Sequence, residues 1–378
     1  MWGGTGDSRH FLHDGRADFG HHIEIVSDSE DAREFRGESG EGWDGLHALR
    51  TVLTTELGFA FSDRRASGGA LISAPVAYRV RREGVSMRHW VRRSDGSRLA
   101  FQALGPRDAP VLLMLQGQAN SHRWWDRIRA DFAADWLTVT FDYRGTGATE
   151  SLDERQRPTW STALFADDAA AVIEATGRHN AAVYATSMGG RVAQELALRH
   201  PKSVTALVLA CTSPGGWLAF ERTEAIRRSL ANSDVRIRSQ VMTDLFYTGD
   251  WIRSYGGYDG VPTDLLGDTT MSAAARRGHL RVSDEHDAGD RLCAITSPTL
   301  VMHGRDDVMV PPRNADVLGS LIPGARRLLL PGRHGFFDEF RDTVSPLVGR
   351  FLRERALEFD LPASDLECDV AGSAKDRA

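Results

Sequence analysis

Lysine is nearly missing from this 378-residue chain: of 46 basic residues, only Lys202 and Lys375 are lysines. We read the arginine excess as GC-rich codon usage rather than phosphate recognition. Acidic residues number 52 and the formal net charge is −6, so there is no basic field to attract a nucleic acid. Cysteine is scarce too. Cys211, Cys293 and Cys368 are too few and too scattered for a disulfide framework or a zinc site, which points to a reducing, cytoplasmic setting. Long apolar runs are absent: no stretch approaches the roughly 18 consecutive apolar residues of a membrane helix, so no span is expected. The opening residues MWGGTGDSRHFLHDG lack the basic and apolar regions of a secretory signal. No feature of the sequence speaks to an oligomeric state.

What is present divides unevenly. Residues 1–45 hold 11 Asp/Glu against 4 Arg and little apolar periodicity. Such a segment buries too little apolar area to offset its chain entropy, so residues 1–86 read as an acidic, largely disordered extension. Leu46, Leu49, Leu53 and Leu57 recur at helical spacing and predict one short helix over 46–58. His10, His13, His21 and His22 sit in a Gly/Asp-rich tail without fixed ligand spacing and read as solvated rather than metal-binding. Met87 stands just before the first recognisable strand, and a chain starting there is expected to fold.

From residue 87 the texture changes. MRHWVRRSDGSRLAFQALG reads as a hairpin turning at Asp95-Gly96. Apolar runs at 111–117, 136–143, 181–186, 204–212, 299–304 and 325–330 read as strands. Helical patterns at 122–135, 161–177, 188–200 and near 336–357 alternate with them. This alternation predicts an α/β fold, with βαβ units on a mostly parallel sheet and helices on both faces. Some 85 mainly helical residues interrupt the rhythm between Thr212 and Thr299, far more than a crossover needs. The expected division is therefore a core of 87–213 and 293–357, a helical cap at 214–292, and a flexible tail at 358–378.

Three residues carry the chemistry. The strand AAVYAT runs into Ser187, and a helix starts at once with Met188-Gly189-Gly190. This strand–turn–helix context is that of a nucleophile elbow, although a serine there is also what a plain N-cap looks like. The strand at 299–304 leaves through Gly304-Arg305-Asp306-Asp307, and the next ends at Pro331-Gly332-Arg333-His334-Gly335-Phe336. Reactive groups of open α/β sheets gather at the C-terminal ends of strands, where serine, carboxylate and histidine all fall here.

The motifs LMLQGQ, FDYRGTG, ATSMGGRVAQELALRHP, VMHGRDDVMVPP and PGRHGFF together resemble the α/β-hydrolase superfamily over roughly 87–357. The resemblance implies an eight-stranded sheet with an inserted cap, and a triad of Ser187, Asp307 and His334. It selects Asp307 over Asp306, because the family's acid lies three residues after the strand-ending glycine. It assigns the oxyanion hole to the backbone N–H groups of Met188 and Gln118, the latter following Gln116-Gly117 where the family carries His-Gly. Ala185 replaces the family's first elbow glycine. The glycines of FDYRGTG lack the third glycine of a dinucleotide fingerprint, and a structural turn is preferred there. The implied activity is hydrolysis of a carboxylic ester, a lactone or a related C–C bond in a small to medium apolar molecule, with no metal or other cofactor. The alternatives on the same fold are a cofactor-free haloperoxidase or perhydrolase, a triad-dependent lyase, and a ligand-binding protein that kept the fold. Trp125, Trp217, Trp251 and Phe336 are candidates to line the substrate pocket, or else belong to the core of the cap.

Overall fold

The computed structural model describes residues 23–29, 32–37, 65–66, 69–70, 88–151, 159–262 and 266–356. The chain divides into two units, Met1–Glu83 and Gly84–Ala378. In the first, Ile23–Ser29 pairs antiparallel with Ala32–Gly37, and Arg65–Ala66 with Gly69–Ala70. Ile23, Ile25 and Val26 carry β-propensity that the acidic average of the segment conceals. The helix expected over 46–58, the histidines at 10, 13, 21 and 22, and the tail from 358 lie outside the described residues.

The second unit is built on eight strands: β1 (Arg88–Arg92), β2 (Arg98–Leu104), β3 (Val111–Leu115), β4 (Leu137–Phe141), β5 (Ala181–Thr186), β6 (Val204–Ala210), β7 (Thr299–Gly304) and β8 (Arg326–Leu330). They form one sheet in the order β8-β7-β6-β5-β3-β4-β2-β1. The β1–β2 and β2–β4 pairs are antiparallel and the others parallel. The hairpin turns as its sequence demands: Gly96 takes φ 88° and Ser97 N–H donates to the Asp95 carboxylate at 2.9 Å.

The inner strands are continuously apolar because both faces of the sheet are covered. Along β3, Val111, Leu113 and Leu115 enter one apolar cluster, while Leu112 and Met114 enter the other. Helices α1 (Thr162–Ala175) and α2 (Met188–Arg199) fill the first face with Phe165, Ala169, Val192 and Leu196. Among the described residues between β6 and β7 are the α-helices α3 (Glu224–Leu230), α4 (Val235–Phe246), α5 (Gly249–Ser254) and α6 (Ala273–Asp284). Helix α7 (Arg313–Leu321) joins β7 to β8 and packs Ala315 and Leu318 into the first cluster. The described residues end with α8 (Phe336–Glu339) and α9 (Arg341–Ala356), the latter packing Val344, Val348 and Phe351 on the second face.

Three expected elements come out differently. Residues 122–135 form two 3-10 turns, His122–Trp125 and Arg129–Asp131, instead of one helix. Their bonds run i to i+3, as in Ile128 N–H to Trp125 O at 2.9 Å. Trp124 and Trp125 are both buried there, Trp124 against Phe246 and Trp125 against Tyr184. The strand expected to reach Thr212 stops at Ala210, because Cys211 turns to φ 44°. The final helix is broken at Phe340 into α8 and α9.

Candidate active site

Ser187 occupies the junction between β5 and α2 with φ 53°, a left-handed conformation that non-glycine residues adopt at a cost of about 1–3 kcal/mol. The neighbours hold it there. Its N–H donates to Ala210 O of β6 at 2.9 Å, and its carbonyl accepts from the Thr212 hydroxyl at 2.7 Å and from Gly190 N–H at 3.0 Å. The Ser187 side chain makes no capping bond to α2, so it is not acting as an N-cap. The glycines after it are there for close approach. A Cβ on Gly189 would stand 2.3 Å from Leu115 O, and one on Gly190 would stand 2.6 Å from the Thr212 side chain. Ala185, fully buried, fills the position of the absent first glycine.

Asp307 and His334 arrive from neighbouring strands. Gly304 lets the two loops touch: a Cβ there would meet Arg333 O at 2.4 Å and Gly332 O at 2.5 Å. Arg305 N–H donates to Leu330 O at 2.8 Å and Asp306 N–H to Gly332 O at 3.0 Å, which keeps the loops in register. Asp306 points to solvent. It is Asp307 whose Oδ2 meets Nδ1 of His334, at 2.8 Å. Its Oδ1 accepts the N–H groups of Met309 and Val310, both at 2.9 Å. Oδ2 also lies 3.2 Å from Nε2 of His303, a β7 residue that motif reading passes over although it stands four positions before Asp307. Burial alone would raise the Asp307 pKa. The His334 charge and the bonds from His303 and His334 outweigh it and hold the carboxyl well below the usual carboxylate range. His334 Nε2 is buried without a protein partner among the described residues, and no hydrogen bond joins it to Ser187 in this arrangement.

The loop after β3 faces the serine. A Cβ on Gly117 would lie 3.4 Å from Ser187 Cβ and 3.9 Å from its Oγ. Gln116, fully buried, donates through Nε2 to Phe141 O at 2.7 Å. Asn120 Nδ2 donates to Gln118 O at 3.1 Å. Among the described residues no protein acceptor is bonded to the N–H of Gln118 or of Met188. The FDYRGTG segment is a turn tied inward: Arg144, 1% exposed, reaches Asp168 through Nε at 2.7 Å and Nη2 at 3.0 Å. The Asp142 carboxylate accepts the N–H groups of His122 and Ala148.

The inserted helices grip the histidine loop. His334 N–H donates to Leu245 O at 3.2 Å and Gly335 N–H to Phe246 O at 2.8 Å. The Phe246 ring stands edge-on to the His334 ring at 4.9 Å. Arg333 reaches Asp244 O, and the Thr248 hydroxyl bonds Glu339. Tyr247 donates to Asp338 at 3.1 Å, and Arg127 to the same carboxylate at 2.9 Å. Trp124 Nε1 donates to the Thr186 hydroxyl at 3.0 Å, beside the serine.

The four candidate pocket aromatics differ in their surroundings. Trp125 and Phe336 are wholly enclosed in the second apolar cluster, and Trp251 stacks on Tyr247 at 3.8 Å. Trp217 is 76% exposed. Among the described residues no cluster of three or more His, Cys, Asp or Glu side chains has the makings of a metal site. No helix among them is long and apolar enough to cross a membrane.

Known proteins resemble this chain in sequence and fold. The family model described as alpha/beta hydrolase fold matches residues 110–340. The "Putative carbamate hydrolase RutD" of Klebsiella pneumoniae is 27% identical over 255 residues, which cover 64% of this chain and 90% of that protein. The "Putative non-heme bromoperoxidase BpoC" of Mycobacterium tuberculosis is 27% identical over 258 residues, covering 64% and 92%. The enol-lactonase from Burkholderia xenovorans LB400 superposes with a TM-score of 0.61 at 18% identity, covering 70% of this chain and 100% of its own. Eight strands in this order, an elbow between β5 and α2, and a family match over most of the second unit lead to one conclusion: the chain belongs to the α/β hydrolase fold family.

Proposed function

We propose that this protein is a serine hydrolase that cleaves a carboxylic ester or lactone through Ser187, His334 and Asp307. The observation that carries the reading is the strained Ser187, whose side chain does not cap its helix, on the same sheet end as the buried Asp307–His334 pair. Ser187 Oγ attacks the carbonyl carbon as His334 Nε2 takes its proton. Asp307 accepts from Nδ1–H, which fixes the tautomer that leaves Nε2 free to act as base and stabilises the imidazolium. The N–H groups of Gln118 and Met188 bind the oxyanion, each donor contributing about 2.7–4 kcal/mol at the transition state. His334 then returns the proton to the leaving oxygen and activates the water that releases the acyl group. The proton transfer requires Ser187 and His334 to close into hydrogen-bond contact when substrate binds.

The test is labelling with a serine-directed fluorophosphonate, combined with turnover of short p-nitrophenyl esters and lactones. Wild-type protein should be labelled at Ser187, and Ser187→Ala should lose both labelling and turnover. Undiminished turnover in that variant would sink the assignment. The likeness to a protein named as a non-heme bromoperoxidase favours a second reading, peroxide-dependent halogenation by the same serine. Assays with peroxide, halide and a carboxylate cosubstrate separate it from ester hydrolysis.

A further inference from the structure

We infer that His279, from the inserted helix α6, is a positioning residue for the oxyanion loop: it fixes the Gln118–Ala119 backbone on which the Gln118 N–H donor depends. This rests on the reading of Gln118 and Met188 as the oxyanion donors.

The loop needs such a support. Ala119 is held at φ 58°, left-handed backbone that an alanine does not adopt without external bonds. Both of its peptide groups are claimed by the inserted segment. Ala119 N–H donates to His279 Nδ1 at 3.2 Å, from 160 positions away in sequence, and Ala119 O accepts Asp268 N–H at 2.7 Å. The imidazole is anchored in turn, since Nε2 lies 2.8 Å from Arg144 O. A carbonyl can only accept, so Nε2 carries the hydrogen and Nδ1 presents a lone pair to Ala119. A protonated ring would have no lone pair left for Ala119.

The surroundings keep the ring neutral. His279 is fully buried among Tyr143, Trp160 and Phe165, with ring centroids 5.4–6.1 Å away. Burial lowers its pKa to about 4, with the Arg144 bond opposing; Arg276 pushes the same way as burial and Asp268 against it. Asp268 extends the support, because its carboxylate accepts Gly147 N–H at 2.6 Å and so links the oxyanion loop to the FDYRGTG turn. On the loop's other side Gln116 is pinned to Phe141 O. Gly117 and Gln118 are therefore strung between two fixed points, and the direction of the Gln118 N–H follows from both.

The experiment uses the full chain and three measurements: ester kinetics normalised by fluorophosphonate titration of Ser187, affinity for an arylboronic acid that forms a tetrahedral adduct on that serine, and ring nitrogen shifts of the histidines. His279→Phe keeps an aromatic ring and loses both bonds. It should lower kcat about 100-fold with KM within about twofold, and weaken the boronate in parallel, because loop geometry matters in the tetrahedral state. His279→Asn keeps an acceptor near the Nδ1 position and should recover most of the lost kcat. In wild-type protein the ring resonances that disappear in His279→Phe should report a neutral imidazole, with hydrogen on Nε2, down to about pH 5.

Wild-type kcat and boronate affinity per titrated site in His279→Phe would overturn the inference, whatever happens to its Tm. So would equal loss in His279→Asn and His279→Phe, since the Ala119 bond would then not be what matters. A wild-type protein that fluorophosphonate does not label at Ser187 would instead overturn the catalytic reading itself, and this inference with it.

Discussion

His303 and His334 converge on one oxygen: Oδ2 of Asp307 lies 3.2 Å from Nε2 of the first and 2.8 Å from Nδ1 of the second. His303 Nε2 is also 2.8 Å from Val310 O, so its hydrogen is shared between a carbonyl and the carboxylate. Both imidazoles are buried, and the acid is locked in orientation by groups on β7 and on its own turn.

Asp307→Asn should therefore cost far more than charge. It reverses the donor–acceptor sense toward both histidines, and by the logic of the triad kcat for ester turnover should fall about ten-thousand-fold. Asp306→Asn, at an exposed side chain, should stay within about twofold. If the two variants swap behaviour, the acid has been misassigned. His303→Phe should lower unfolding stability by about 1.5–3 kcal/mol in urea titration, as expected for a buried bond to a charged group.

The elbow makes a sharper steric prediction. Gly189→Ala drives a methyl group to within 2.3 Å of Leu115 O and 2.6 Å of Gln116 O, both backbone atoms that cannot step aside. Helix α2 must shift relative to β3, carrying Met188 N–H with it, and kcat should drop about 100-fold. Ala185→Gly, which only restores the family's usual residue, should leave kcat within about threefold. A fully active Gly189→Ala protein would show that the elbow tolerates displacement.

Asp338 tests the grip of the inserted helices on the histidine loop. The carboxylate is buried and shared by Arg127 and Tyr247. Asp338→Asn should destabilise the protein by about 1–3 kcal/mol, and Tyr247→Phe by about 1 kcal/mol. Urea unfolding gives both numbers. If the grip positions His334, kcat per titrated Ser187 falls in both variants as well; stability loss with intact kcat would assign the cluster to packing alone.

The acid side of the stability curve should carry a histidine signature. Burial first, then Arg191 and Arg291, lower the His286 pKa to about 3, while its ring bonds Thr162 at 3.0 Å. An unfolded histidine takes up its proton near pH 6.5, so between that value and the folded pKa the unfolded chain binds more protons. Stability from the neutral ring is thus complete above about pH 6.5 and drains away as pH falls toward 3. His286→Gln should flatten the slope of unfolding free energy between about pH 6.5 and pH 4; an unchanged slope would mean that the ring is not neutral in the fold.

Much of this molecule can be read from residue patterns because its signals are local. The continuous apolar strands, the Asp95-Gly96 turn and the Ser187–Gly190 junction each state their geometry within a few residues. What escapes the sequence is set by distant contacts. The helical periodicity of 122–135 gives way to two 3-10 turns whose Trp124 and Trp125 pack on Phe246 and Tyr184, residues far away in the sequence. His303 looks like an ordinary strand residue until the fold returns Asp307 to it. His279, a lone histidine on an arginine-rich helix, gives no hint that its acceptor faces Ala119. The aromatics of the inserted segment are compositionally like a pocket lining, yet Tyr247, Trp251 and Tyr255 form one stack beside Arg127.

The bonds from Leu245 and Phe246 to the histidine loop, and from His279 and Asp268 to Ala119, give the inserted helices a standing that a detachable cover would lack. Such a segment is not portable. Exchanging the helices between β6 and β7 for the corresponding stretch of a relative in order to retarget specificity would remove supports from two separate loops of the host sheet at once. New selectivity in this scaffold is therefore better sought at side chains that face the substrate than by transplanting the whole insertion.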